Sequence, residues 1–162
     1  MNVTDVLVNE HMFLRTVFVA VERALDKAQT QAEVSMAARL VEGLMREHTE
    51  CEESLLFHPL DALLTEKGQT SHLSSDHREH MALMRKAQTA LSVQEGRSDL
   101  LLAFRILRAH FHEEERLVVR LAQAAFEPQS QETLGKAWLD RRAERGYGED
   151  PPSFKVPGKA AV

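Results

Sequence analysis

The chain has 162 residues, 43% of them hydrophobic and 28% charged, with a net charge of −5, which is enough for one domain with a buried core. An acidic balance without a lysine and arginine stripe argues against nucleic acid as a partner, and no apolar run reaches the roughly 18 residues that a membrane-spanning helix needs. The opening MNVTDVLVNEHMF lacks the basic-then-apolar pattern of a signal peptide, and a single cysteine, Cys51, suits a reducing compartment, so a cytoplasmic location is expected.

Only seven glycines and five prolines occur, three of the prolines within the last dozen residues, and a chain so free of breakers favours helices. The first predicted helix follows Thr4 as N-cap, with Leu7, Leu14, Phe18, Val21 and Leu25 on one stripe and His11 in its gap. Thr30 and Glu33 read as a capping box opening the second, which carries Met36, Leu40, Leu44 and His48 inward and runs to Phe57 or just past Pro59. Lys67-Gly68-Gln69-Thr70-Ser71 is a turn signal.

The third helix is expected over residues 73–92, with Leu73, His77, His80 or Met81, Met84, Ala87 and Leu91 inward. Gly96 reads as its breaker and Ser98 as the cap of a fourth, which holds Leu101, Phe104, Leu107, His110 or Phe111, Leu117 and Leu121 and ends near Phe126. A short helix over 132–146 is expected to pack Trp138 and Leu139 onto the rest, before a polar, proline-rich loose tail containing Tyr147, the lone tyrosine. The sum is an all-α chain: an antiparallel up-down four-helix bundle over residues 1–126, and a C-terminal helix and tail over 127–162.

The chain repeats itself. HTECEESLL in the second helix matches HFHEEERLV in the fourth, and LVNEH in the first matches LSSDH in the third. His48 and Glu52 are four apart, as are His110 and Glu114, a spacing that stacks both side chains on one helix face. Counting about 1.5 Å per residue from turns near residues 30 and 96 puts His11 level with His48, His77 with Glu114, and His80 near His110. Imidazoles and carboxylates gathered at one depth of a dry core would be costly as bare polar groups, and a cation offsets that cost. Imidazole with carboxylate suits iron, manganese or zinc; six or seven ligands exceed what zinc needs and favour a dinuclear iron or manganese centre.

Of the remaining histidines, His58, His72 and His112 read as surface or supporting residues. Glu53 and Glu115, one past the candidate ligands, read as outer charges, and Glu10 and Asp76 as groups that steady neighbouring imidazoles. Cys51 faces away from the carboxylate of Glu52 and takes no catalytic role in this reading.

The order His, His-x-x-x-Glu, His, His-x-x-x-Glu resembles the hemerythrin-like, or HHE cation-binding, domain over roughly residues 5–126. That resemblance implies a four-helix bundle holding two iron ions bridged by two glutamates and a solvent-derived oxygen. The ligands it implies are His11, His48, Glu52, His77 or His80 or both, His110 and Glu114. It implies a binding or sensing protein for O2, NO or iron, or alternatively an enzyme acting on peroxide, NO or ferrous iron. The oxygen-carrying hemerythrins place two third-helix histidines four apart and end on an aspartate; this chain has neither feature, which counts against simple oxygen transport.

Overall fold

The computed structural model describes residues 1–64, 68 and 70–146. The tail from 147 onward, with Tyr147, and Lys67 and Gln69 of the expected turn lie outside the described residues. Among the described residues every regular element is helical: α1 (Val3–Leu25), α2 (Gln31–Glu52), a π-helical turn (Glu53–Phe57), α3 (His58–Leu63), α4 (Ser71–Thr89), α5 (Val93–Ala125) and α6 (Pro128–Gly146). None is long and apolar enough to cross a membrane.

The helix starts follow from capping chemistry. Thr30 Oγ1 accepts from the Glu33 amide while the Glu33 carboxylate accepts from the Thr30 amide, as the sequence indicates. The first helix begins earlier than expected: Asn2, with Asp5, forms its capping box, and Thr4 is buried inside the helix. The second continues past Glu52 through the π-helical turn into α3, where Pro59 stands in the first turn and needs no donor.

Gly96 does not break the chain. Ser92 caps α5, accepting from the Glu95 amide at 3.2 Å, and Gly96 lies one turn inside. A Cβ there would stand 2.9 Å from Gln31 Oε1 and 3.0 Å from both the Ala87 carbonyl oxygen and Val34 Cγ1. The glycine therefore serves close approach of α5 to α2 and α4, which outweighs its helix penalty of about 1 kcal/mol. The connection lies at residues 90–92 instead of at 96, so Leu91 is 96% exposed and α4 ends at Thr89.

The inward stripe of α2 is also rotated from expectation. Met36 and Leu40 are 69% and 57% exposed, and Val34, Ala38, Val41, Met45 and His48 are buried instead. Steps of four drift by about 40° each, whereas alternating fours and threes keep one face inward. On α6 Trp138 is fully buried, but Leu139 is 45% exposed.

Two apolar layers result. One gathers Leu14, Phe18, Met45, Met84, Phe104 and Phe111; the other gathers Leu7, Leu56, Phe57, Leu73, Val118 and Trp138. Between them lies a polar layer of fully or almost fully buried side chains: His11, His48, Glu52, His77, His80, His110 and Glu114. Arg108 ties α5 to α1 from outside with a forked pair to Glu22, both contacts 2.8 Å.

Candidate metal centre

Each of the helices α1, α2, α4 and α5 sends at least one imidazole into the polar layer, and α2 and α5 add a carboxylate one turn further on. The His48–Glu52 and His110–Glu114 contacts are both 3.0 Å between Nε2 and the nearer carboxylate oxygen. His11 Nε2 lies 3.4 Å from Glu52 Oε1 and 3.3 Å from Glu114 Oε2. His77 Nε2 lies 3.4 Å from Glu52 Oε2 and 3.8 Å from Glu114 Oε1.

The inner atoms thus face one another across two adjoining groups, Glu52–His77–His110–Glu114 and His11–His48–Glu52, each with its ligand atoms within 4.8 Å of one another. Six of them (the Nε2 atoms of His48, His77 and His110, with Glu52 Oε2 and both Glu114 oxygens) are buried without hydrogen-bond geometry to any partner among the described residues. Lone pairs converging on a common space, with no proton aligned between most of them, fit a cation better than they fit one another. The cluster can hold a metal ion.

The outer ring nitrogens are held by a second set of carboxylates, arranged crosswise. Glu10 on α1 accepts from His48 Nδ1 on α2 at 2.8 Å, and Asp76 on α4 accepts from His110 Nδ1 on α5 at 3.3 Å. In return Glu115 on α5 accepts from His11 Nδ1 at 2.9 Å, and Glu53 of the π-helical turn accepts from His77 Nδ1 at 3.1 Å. Each carboxylate keeps its Nδ1 protonated, leaving Nε2 as the inward lone pair a cation requires. Walls of aromatic rings limit how the imidazoles turn: Phe111 stacks on His11 at 4.0 Å and Phe57 on His77 at 5.8 Å.

Protonation shows how much positive charge the layer needs. Burial opposes charge on His11 and His77, yet the close carboxylates of Glu114 and Glu52 and their other carboxylate neighbours outweigh it and push both imidazoles up to about 10. Burial and the nearby Glu52 charge would raise Glu114, but the close imidazoles of His11, His110 and His77 hold it at about 2. Glu52 is likewise held well below the carboxylate range, against burial, by the His48 charge, the hydrogen bond from His11 and the close His77 imidazole. Two buried anions therefore demand cations, and protons on imidazole are the fallback.

Of the expected site residues, His11, His48, Glu52, His77, His110 and Glu114 fall into the two groups. His80 is fully buried beside them, its ring 5.7 Å from that of His77 and 6.2 Å from that of His110, yet it belongs to neither group. Both its nitrogens lack partners among the described residues, and burial, with the charges of His77 and His110 adding, pushes it down to about 3. His77 meets both the His110 ring, at 4.7 Å, and Glu114, at 3.8 Å, and His80 sits one turn closer to the α4–α5 connection.

His58, His72 and His112 are exposed, and Cys51 is buried with its thiol pushed up by burial. Two supporting cations escaped the sequence reading: Arg15 donates to Glu115 at 2.8 Å and Arg142 to Glu10 at 2.7 Å. Arg15 could have been found, since it follows His11 by one helical turn, whereas Arg142 carries no local signal.

The family model of the hemerythrin HHE cation binding domain matches residues 2–122. No curated protein and no solved structure matches the chain.

Proposed function

This chain belongs to the hemerythrin HHE cation-binding family, and on that footing we propose that it holds a non-haem di-iron centre that binds or senses O2, NO or iron itself. The observation that carries this reading is the division of both carboxylates: Glu52 and Glu114 each turn one oxygen toward His11 and the other toward His77. A carboxylate so placed is suited to bridging two cations.

In this reading His11 and His48 hold one ion, His77 and His110 the other, and Glu52 and Glu114 span them. His80 is the remaining imidazole available to the His77 and His110 position. Four imidazoles and two carboxylates suit iron or manganese better than zinc, whose four-coordinate shell needs fewer donors. In this reading α1, α2, α4 and α5 form an up-down bundle, which the short connections at 26–30 and 90–92 support. The single, buried Cys51 suits a reducing compartment such as the cytoplasm.

When bound, an iron pair supplies electrons to a diatomic molecule or peroxide at a position the protein leaves open. The residues hold the imidazoles in one tautomer, exclude bulk water through the two apolar layers and balance charge with Glu52 and Glu114. A cleft of about 360 Å³ lined by Thr49, Glu53, His77, Arg78, Met81 and Arg85 opens beside His77.

The second reading, an enzyme turning over peroxide or oxidising NO or ferrous iron, uses the same cleft. Metal analysis and a visible spectrum test the centre first; two irons per chain are expected. A reversible spectral change with O2 or NO, without turnover, marks the binding protein. Sustained oxygen release on adding peroxide marks the enzyme, and an absence of bound metal rejects both.

A further inference from the structure

The two halves of the centre repeat in sequence but are not supported alike. The carboxylates behind His11 and His48 are each backed by an arginine, Arg15 on Glu115 and Arg142 on Glu10. The carboxylates behind His77 and His110, Glu53 and Asp76, have no lysine or arginine within ion-pair range among the described residues. Glu10 is accordingly 14% exposed and sits 2.8 Å from its imidazole, while Asp76 is 36% exposed and sits 3.3 Å from its own.

Arg142 comes from α6, which lies beyond the residues the family model matches. That helix is seated firmly on the site end of the bundle. A Cβ on Gly135 would run into the backbone of Met1, Asn2 and Val3. Trp138 is fully buried, its ring centre 6.1 Å from that of His48. Arg142 then spans two helices, with Nε to Glu10 on α1 at 2.7 Å and a terminal nitrogen to Glu47 on α2 at 2.6 Å. The outer partner of His48 is thereby pinned from outside the matched domain.

Resting on the di-iron reading, we propose that Arg142 is a positioning residue for His48, acting through Glu10, so that α6 governs how firmly the His11 and His48 position keeps its ion. The planar guanidinium fixes one Glu10 oxygen and leaves the other aimed at His48 Nδ1. Outer partners of this kind are worth about 10- to 100-fold in metal affinity. The other position has no such arginine behind its outer carboxylates and is indifferent to Arg142.

The test uses the full chain loaded with ferrous iron and challenged with a ferrous chelator. In a His110→Ala background, which keeps the His11 and His48 position, Arg142→Ala should speed release of the remaining ion about 10- to 100-fold. Arg142→Lys should recover part of the loss, and Arg142→Ala should add nothing once Glu10 is already alanine. In a His48→Ala background the same substitution should change release less than about twofold. Equal acceleration in both backgrounds, or effects that add to those of Glu10→Ala, would overturn the proposal by showing a general loosening.

A second readout needs no metal. Solvent exchange of the His48 Nδ1 proton, followed by nitrogen-edited NMR of the metal-free chain, should quicken in Arg142→Ala while that of His110 does not. An unchanged His48 proton overturns the proposal. If the unsubstituted chain takes up no iron, the di-iron reading fails instead, and the NMR result still stands for or against the Arg142 role.

Discussion

Glu52 and Glu114, 62 residues apart and on different helices, make mirror-image contacts: each places one oxygen within 3.4 Å of His11 Nε2 and the other within 3.8 Å of His77 Nε2. The internal repeat of the sequence is thereby repeated in space. Each half lends a carboxylate to the other's histidine, both at the inner nitrogens and at the outer ones. No half can complete a site alone, and this explains why the two motifs must come together in one fold.

Removing either shared carboxylate should cost more than one contact. Glu52→Ala or Glu114→Ala is expected to lower iron to at most one ion per chain, read by metal analysis after desalting. Two ions in either variant would refute the bridging role.

His80 separates folding from binding. Its two unpartnered nitrogens are a liability in a dry core, so His80→Leu should stabilise the metal-free chain by about 1–3 kcal/mol in urea unfolding. The same substitution should speed loss of iron to a chelator if His80 serves the His77 and His110 position. His77→Ala, by contrast, is expected to abolish an ion outright.

Stability of the metal-free chain should depend on pH in a manner the loaded chain does not share. His11 and His77 are raised from 6.5 to about 10, so their stabilising effect is complete below about 6.5 and disappears as pH rises through about 10. His80 runs the other way: lowered to about 3, it costs stability increasingly as pH falls below its ordinary value. The melting temperature without metal should therefore peak near pH 6.5 and decline on both sides. Loading with iron at pH 8 should release protons, seen as a dependence of calorimetric heat on the buffer's ionisation enthalpy; no proton release would contradict the charge balance drawn here.

Gly96→Ala is expected to destabilise, although alanine ordinarily favours a helix by about 1 kcal/mol over glycine. The new Cβ would sit 3.0 Å from the Ala87 carbonyl oxygen, which is backbone and cannot swing aside as Gln31 can. A net loss of about 1–3 kcal/mol is the expectation for such overpacking. A stabilised variant in thermal melting would show that α5 has room to retreat.

Much of the site was legible because its signals are local and repeated. The His-x-x-x-Glu spacing places His48 with Glu52 and His110 with Glu114 on one helix face whatever the rest does, since helical geometry alone dictates it. The same holds for Thr30 and Glu33, whose reciprocal bonds span three residues. Glu10, Glu53, Asp76 and Glu115 were identifiable as neighbours of inward residues, though not which imidazole each would hold.

What the linear order could not contain was the phase and meeting of separate helices. Gly96 looks like a breaker until Val34 and Ala87 come against it, and Met36 looks inward until His48 and Glu52 set the rotation of α2. His77 and not His80 enters the two ligand groups, a choice between residues three apart on one helix that spacing alone leaves open. Arg142 reaches Glu10 across 132 positions of chain. Residue types and short spacings suffice to nominate metal ligands because coordination demands particular atoms at one-turn separation; which nominees meet, and what braces them, depends on packing between surfaces distant in sequence.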